Sequence, residues 1–133
     1  MNEPATDPRR VLVVDDHPDN RRLACKVLRR AGFEPIEVDR AEGLASLVAR
    51  ERPELILMDI ELPGENGYDA VLRLKSEPAT ALIPVIALTA YAMPEDRQRC
   101  LRAGCVDYVS KPLDIHLLVA TVRKHLENPG TVK

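Results

Sequence analysis

The feature that most constrains the fold of this chain is an alternation of two hydrophobic periods. Five short runs, Val11 to Val14, Ile36 to Val38, Leu55 to Met58, Val85 to Leu88 and Val106 to Val109, are mostly β-branched or leucine-rich and read as strands. After each run the apolar residues recur at helical spacing. Leu23, Ala24, Val27, Leu28 and Ala31 form the first stripe, with Pro18 suited to a first turn and Gly32 to a stop. Leu44, Leu47 and Val48 form the second, behind Asp39, whose spacing to Glu42 suits a capping box, and Pro53 closes it. A third helix is expected from about Asn66 to Lys75 and a fourth from about Pro94 to Ala103, ahead of Gly104. The fifth carries Ile115, Leu118, Val119, Val122 and Leu126 and breaks at Asn128-Pro129-Gly130. Strands that read as unbroken apolar runs are buried on both faces, so the pattern predicts a parallel sheet with helices on both sides. Five such units with right-handed crossovers make an open, doubly wound α/β sheet, which binds ligands beyond the carboxyl ends of its strands.

At 133 residues the chain has room for one domain, expected over 9–127 between a short disordered lead, 1–8, and a short tail, 128–133. It is 45% hydrophobic, enough for a real core, and with one Phe and three Tyr that core must be aliphatic. The net charge of -2 gives no bulk attraction to nucleic acid or an anionic membrane, and so few aromatics provide no stacking platform for single strands. Cys25, Cys100 and Cys105 have neither disulfide arithmetic nor metal-ligand spacing and read as buried thiols of a reducing compartment. No apolar run approaches the roughly 20 residues of a membrane span, and the lead lacks the apolar centre of a signal peptide. These features point to a cytoplasmic protein without nucleic-acid binding or membrane insertion.

The chemistry is expected where the strands end. Asp15-Asp16, Asp59, Thr89-Ala90 and, after a slightly longer gap, Lys111-Pro112 follow four of the five runs, and the fold would gather them at one rim. Carboxylates 4 Å apart repel by about 4 kcal/mol per pair at an effective dielectric near 20, so such a cluster calls for cations. Lys111 and a divalent ion balance three acids. A hard oxygen site favours Mg²⁺ or Mn²⁺, and the scarcity of His and Cys around it disfavours zinc. Any one of these residues alone would read as a helix cap, a turn residue or a surface lysine; their joint occurrence at successive strand ends is what points to a site.

These stretches carry a resemblance. Val11-Leu-Val-Val-Asp-Asp16, Leu57-Met-Asp-Ile-Glu-Leu-Pro63 with Gly67, Val85-Ile-Ala-Leu-Thr-Ala90 and Asp107-Tyr-Val-Ser-Lys-Pro112 resemble the response-regulator receiver domain of two-component phosphorelays, over about residues 9 to 127. The resemblance implies a flavodoxin-like fold with strand order 2-1-3-4-5 and a cis peptide before Pro112. It implies that Asp59 accepts a phosphoryl group from a phosphohistidine of a kinase or phosphotransfer protein. Asp16, Asp59 and the main-chain carbonyl of Glu61 would ligate Mg²⁺, with Asp15 acting mainly through bound water. Lys111 would pair with the phosphoryl oxygens, Thr89 would hydrogen-bond them, and Tyr108 would turn inward on activation. Elementary chemistry agrees with these roles: attack of a carboxylate on an anionic phosphoryl group is limited by positioning and charge neutralisation.

The departures from the commonest pattern are local. Glu65-Asn66 replace an apolar-acidic pair, and Glu61 places a carboxylate two residues beyond Asp59. By resemblance, Glu61 and Tyr91 occupy positions that set the lifetime of the phosphoryl group. Ala90 leaves approach space for a donor and Gly67 allows a tight loop, although ordinary turn packing explains both equally well. The first helix carries Arg21, Arg22, Lys26, Arg29 and Arg30 with no acid from Asn20 to Ala31, either a solvated face or a dock for the phosphodonor. His17 adjoins the acid pair and reads as a loop histidine or a donor contact; His116 and His125 have no ligand spacing.

The expectation is therefore a stand-alone response regulator that is no enzyme beyond its own phosphorylation and dephosphorylation. With little chain after Glu127, it would act on a protein target through helix four, strand five and helix five, by residues such as Arg97, Arg102, Tyr108 and His116. A phosphate shuttle or sink in a relay is the alternative. A Mg²⁺-dependent aspartyl-phosphate phosphotransferase would need a substrate pocket that so short a chain hardly provides. A flavodoxin-like cofactor module is disfavoured, because the loop after the first strand is acidic where a phosphate cradle offers glycines and amides.

Overall fold

The computed structural model describes residues 9–62, 64, 66–90 and 93–127. The expected lead and tail, the break at 128–130, Pro63, Glu65 and Tyr91 lie outside them. Five strands, β1 (Arg10–Val14), β2 (Glu34–Val38), β3 (Leu55–Asp59), β4 (Val85–Thr89) and β5 (Asp107–Ser110), alternate with α1 (Pro18–Arg30), α2 (Leu44–Glu51), α3 (Gly67–Ser76), α4 (Pro94–Ala103) and α5 (Ile115–Glu127). All strand pairs are parallel and the order is β2-β1-β3-β4-β5, as expected. The Lys111-Pro112 peptide is cis.

The unbroken apolar runs follow from burial on both faces. Leu12, Val14, Ile56, Met58, Val85 and Ala87 point into one core layer, where Leu44, Val48, Val71, Leu74 and Cys100 of α2, α3 and α4 cover them. Their alternates, Val11, Val13, Leu55, Leu57, Ile86 and Leu88, point the other way, onto Ala24, Cys25 and Leu28 of α1 and Leu118 and Val122 of α5. Only β1, β3 and β4 are sealed in this way. The outer strands β2 and β5 are partly buried, and β2 carries Pro35, which an edge strand tolerates because its missing N–H leaves no central ladder bond unmade. All three cysteines are buried and unbridged, and burial pushes the Cys25 thiol up to about 11.

Helix boundaries follow local chemistry, with one exception. Pro18 opens α1, and Asn66 caps α3 by accepting the Tyr68 backbone N–H at 2.8 Å. Gly104, at φ +111°, ends α4. The expected Asp39–Glu42 capping box does not form. Gly43, at φ +72°, is the N-cap of α2, which begins too far along for Asp39 to reach its first turn; Asp39 pairs with Arg40 instead. Gly67 is required by packing: a Cβ there would lie 2.5 Å from the Ile60 Cα. This close approach folds the start of α3 back on the segment that follows β3, beside the functional rim.

Candidate functional site

The parallel register brings the expected residues to one edge. Asp59 and Thr89 are the last residues of β3 and β4, and Asp15 and Lys111 directly follow β1 and β5. The Asp15 backbone N–H donates to Val38 O at 3.0 Å, extending the β1–β2 ladder, and the Lys111 N–H donates to Thr89 O at 2.8 Å, extending β4–β5. The main chain carrying Asp15 and Lys111 is therefore fixed by sheet hydrogen bonds. The strand order reverses between β1 and β3, so this edge is the crevice where open α/β sheets bind ligands.

Asp15, Asp16, His17 and Asp59 each offer a ligand atom, and these atoms lie within 4.8 Å of one another. Asp59 is fully buried and Asp15 nearly so. Asp59 Oδ1 accepts the Glu61 backbone N–H at 2.9 Å and lies 2.9 Å from Lys111 Nζ. Asp15 Oδ1 accepts the His17 N–H at 2.8 Å. Burial holds the Asp15 carboxyl above its ordinary range; the His17 N–H and the Lys111 charge oppose that shift and the Asp59 charge adds to it. For Lys111, burial pulls the ammonium down, and its contact with Asp59, with the charges of Asp59, Asp15 and Glu61, more than restores it, leaving it raised.

Among the described residues, two buried side-chain oxygens lack a hydrogen-bond partner. Asp16 Oδ1 and Asp59 Oδ2 are buried and make no hydrogen bond, although His17 Nδ1 stands 3.3 Å from the former. Orphaned carboxylate oxygens are costly unless a cation meets them. Both belong to one cluster of hard oxygen donors, the set that suits Mg²⁺ or Mn²⁺, so the residues present fit such an ion.

The resemblance implied that Glu61 stands where it sets the lifetime of the phosphoryl group, but named no partners for its side chain. Its Oε2 accepts the Thr89 hydroxyl at 2.8 Å, its Oε1 accepts the Ala90 N–H at 3.1 Å, and Lys111 Nζ is 3.7 Å from Oε1. The signal was available: in extended chain, residues two apart point the same way, so Glu61 shares the side of Asp59. Arg21 also departs from expectation. It is largely buried, donating to the Asp15 carbonyl at 2.8 Å and to Glu37 at 3.0 Å, and so braces the acid loop against β2. Arg22, Lys26, Arg29 and Arg30 are exposed. His17 is mostly exposed, and His125, given no role from the sequence, lies 3.0 Å from Asp107 Oδ2.

Tyr108 is half-buried on β5, with the Arg97 guanidinium 5.4 Å from its ring centroid. Arg97, Tyr108, Leu117 and Thr121 line one groove between α4 and α5. His116 lies elsewhere, with Leu23 and Lys26 in a groove between α1 and α5. The four residues expected to share one output face are therefore not all brought together.

A doubly wound sheet with an acidic crevice, a facing lysine and a strand-end threonine defines a phosphoryl-signalling class, and the comparisons agree. Residues 11–123 match the response regulator receiver domain, and the chain belongs to that family. Receiver domains are signalling modules of two-component systems, phosphorylated by histidine kinases or phosphotransfer proteins. The chain is 40% identical over 115 residues to the phosphate regulon transcriptional regulatory protein PhoB of Escherichia coli, covering 86% of this chain and 50% of PhoB, so it spans about half the length of that relative. It is 35% identical over 119 residues to the polar-differentiation response regulator DivK of Brucella anthropi, covering 90% of this chain and 97% of DivK. Among solved structures it resembles the receiver domain of the sensor histidine kinase PA1611 of Pseudomonas aeruginosa, which carries a magnesium ion in its active-site cleft. That likeness has a TM-score of 0.80 at 32% identity and covers 88% of this chain and 96% of that one. No helix among the described residues is long and apolar enough to cross a membrane.

Proposed function

We propose that this receiver takes a phosphoryl group onto Asp59 from a phosphohistidine of a histidine kinase or phosphotransfer protein, and that the modified domain changes its protein contacts. The observation that carries the reading is the pair of orphaned oxygens on Asp16 and Asp59 beside the 2.9 Å Lys111–Asp59 contact. In transfer, an Asp59 carboxylate oxygen forms a bond to phosphorus as the bond from phosphorus to the donor's imidazole nitrogen breaks, and the imidazole leaves with its proton balance restored by solvent. Lys111 and the Thr89 hydroxyl hold the equatorial oxygens, and the rigid strand end supplies the alignment. Asp16, Asp59 and the Glu61 carbonyl would hold Mg²⁺ or Mn²⁺, with Asp15 acting through water; the ion supplies charge neutralisation at the transferring group. The magnesium in the cleft of the PA1611 receiver supports this assignment.

The output surface is α4, β5 and α5, where Tyr108 and Arg97 share a groove. Drawing Thr89 toward the phosphoryl group vacates space for Tyr108 to turn inward, and a target that prefers that arrangement gains typically about 1–3 kcal/mol of coupling. The match along nearly all of DivK, itself named a response regulator, supports a signalling role carried by the receiver domain's own surface.

The test is incubation with a small acyl phosphate and Mg²⁺. One phosphoryl mass should appear, map to Asp59, and vanish in Asp59→Asn and on chelation. Equal labelling of Asp59→Asn would overturn the reading.

A further inference from the structure

In this structure Thr89 and Lys111, the donors expected to hold phosphoryl oxygens, are engaged by another anion, and the neighbouring Ala90 N–H joins them. Thr89 Oγ1 and the Ala90 N–H both donate to the Glu61 carboxylate, one to each oxygen, at 2.8 and 3.1 Å. Lys111 stands between two carboxylates, 2.9 Å from Asp59 and 3.7 Å from Glu61. A hydroxyl, a backbone amide and an ammonium converging on one planar anion form the set that recognises a phosphoryl group. Glu61 reaches it because its backbone N–H is tied to Asp59 Oδ1 and its side chain extends along the same side.

We infer that Glu61 is an internal stand-in for the phosphoryl group. It is a positioning residue that holds Thr89, Ala90 and Lys111 in place before transfer and must withdraw for an incoming phosphoryl group to engage them. This rests on Asp59 being the acceptor. Two physical arguments support it. The incoming group is anionic, and Glu61 adds one more carboxylate to a rim that already holds Asp15, Asp16 and Asp59 around one ammonium, so leaving it in place raises the repulsion that transfer must overcome. The carboxylate also has somewhere to go. Glu61 is about one-third exposed and borders a cleft shared with Asn66, Tyr68, Asp96 and Arg99, where Arg99, stacked 4.3 Å over the Tyr68 ring, offers a cation and the Asp96 carboxylate is engaged with the Met93 N–H. Exchange of Glu61 for the phosphoryl group therefore swaps one anion for another on the same three donors.

The test combines kinetics with amide NMR on the wild type, Glu61→Ala and Glu61→Gln. With a small acyl phosphate and Mg²⁺, both variants should be phosphorylated several-fold faster than the wild type, Glu61→Ala most, because the amide of Glu61→Gln still accepts a hydrogen bond but lacks the charge. The Ala90 amide resonance should differ between resting wild type and resting Glu61→Ala, and the two should converge once phosphorylated, since the same group then holds that N–H. A purely structural role for Glu61 would leave the difference in both states. If the wild type accepts phosphoryl on Asp59 but the variants are no faster and the Ala90 resonances do not converge, the inference fails alone. If the wild type takes no phosphoryl group, the acceptor reading fails with it.

Discussion

The two ends of the sheet solve the same problem in opposite ways. At the amino end of β1, Arg10 is tied to two acids. The Arg10 backbone N–H donates to Glu54 at 2.7 Å, its guanidinium contacts Glu51 at 2.7 Å, and the Glu54 N–H returns to the Arg10 carbonyl at 2.9 Å. At the carboxyl end, Asp15, Asp16, Asp59 and Glu61 surround Lys111, and among the described residues two buried carboxylate oxygens make no hydrogen bond. Both rims are built on the same strands, so the difference lies in which side chains the sequence places there. A paired rim contributes order; an unpaired one keeps electrostatic energy available for an incoming cation and phosphoryl group.

The sharpest way to break this contrast is to remove Lys111. Lys111→Ala should cost about 2 kcal/mol of stability in metal-free protein, less than a fully buried pair because a carboxylate can take a proton, and should slow phosphorylation. Saturating Mg²⁺ should return part of that loss in denaturant unfolding. Arg10→Ala at the opposite rim should lower stability by less and leave both the metal response and the phosphorylation rate unchanged. Equal metal responses in the two variants would erase the distinction between the rims.

A smaller effect follows from Asp15. Its folded carboxyl is held above the ordinary value, chiefly by burial, so between the unfolded and folded values the native state binds more protons than the unfolded chain. Stability from this group is therefore greatest at low pH and falls as pH rises through the folded value. Metal-free wild type should show that slope, and Asp15→Asn should flatten it and raise stability near neutrality. An unchanged profile would mean that Asp15 is not under the electrostatic load assigned to it.

Much of this was legible in the sequence because it depends on short-range pattern. Unbroken apolar runs mark strands sealed on both faces, and polar residues at or just past the end of such a run must emerge at an edge, which is how Asp59, Thr89 and Lys111 could be placed. Other features depend on distance in space. Arg21 looks like part of a solvated basic helix face, and only the packing of α1 against β2 shows it turned inward to the Asp15 carbonyl and Glu37. The His125–Asp107 contact joins α5 to β5 and leaves no periodic trace. Asp39 and Glu42 satisfy a capping spacing, yet left-handed Gly43 sets the helix start, because backbone geometry in the preceding loop outweighs a side-chain signal. Glu61 falls between the two cases: its side was inferable from its spacing to Asp59, and its partners were not.

The unbalanced rim is tested most directly by its cation. Titrating Mg²⁺ into metal-free protein while following thermal unfolding should raise Tm saturably, as expected for a ligand that binds only the folded chain. Asp16→Ala, which removes one orphaned oxygen, and Asp59→Asn, which leaves an uncharged amide in place of the other carboxylate, should lose most of that rise, and Asp15→Ala should lose less. A rise of the same size in Asp16→Ala and wild type, or none in wild type, would contradict the claim that these oxygens await a metal.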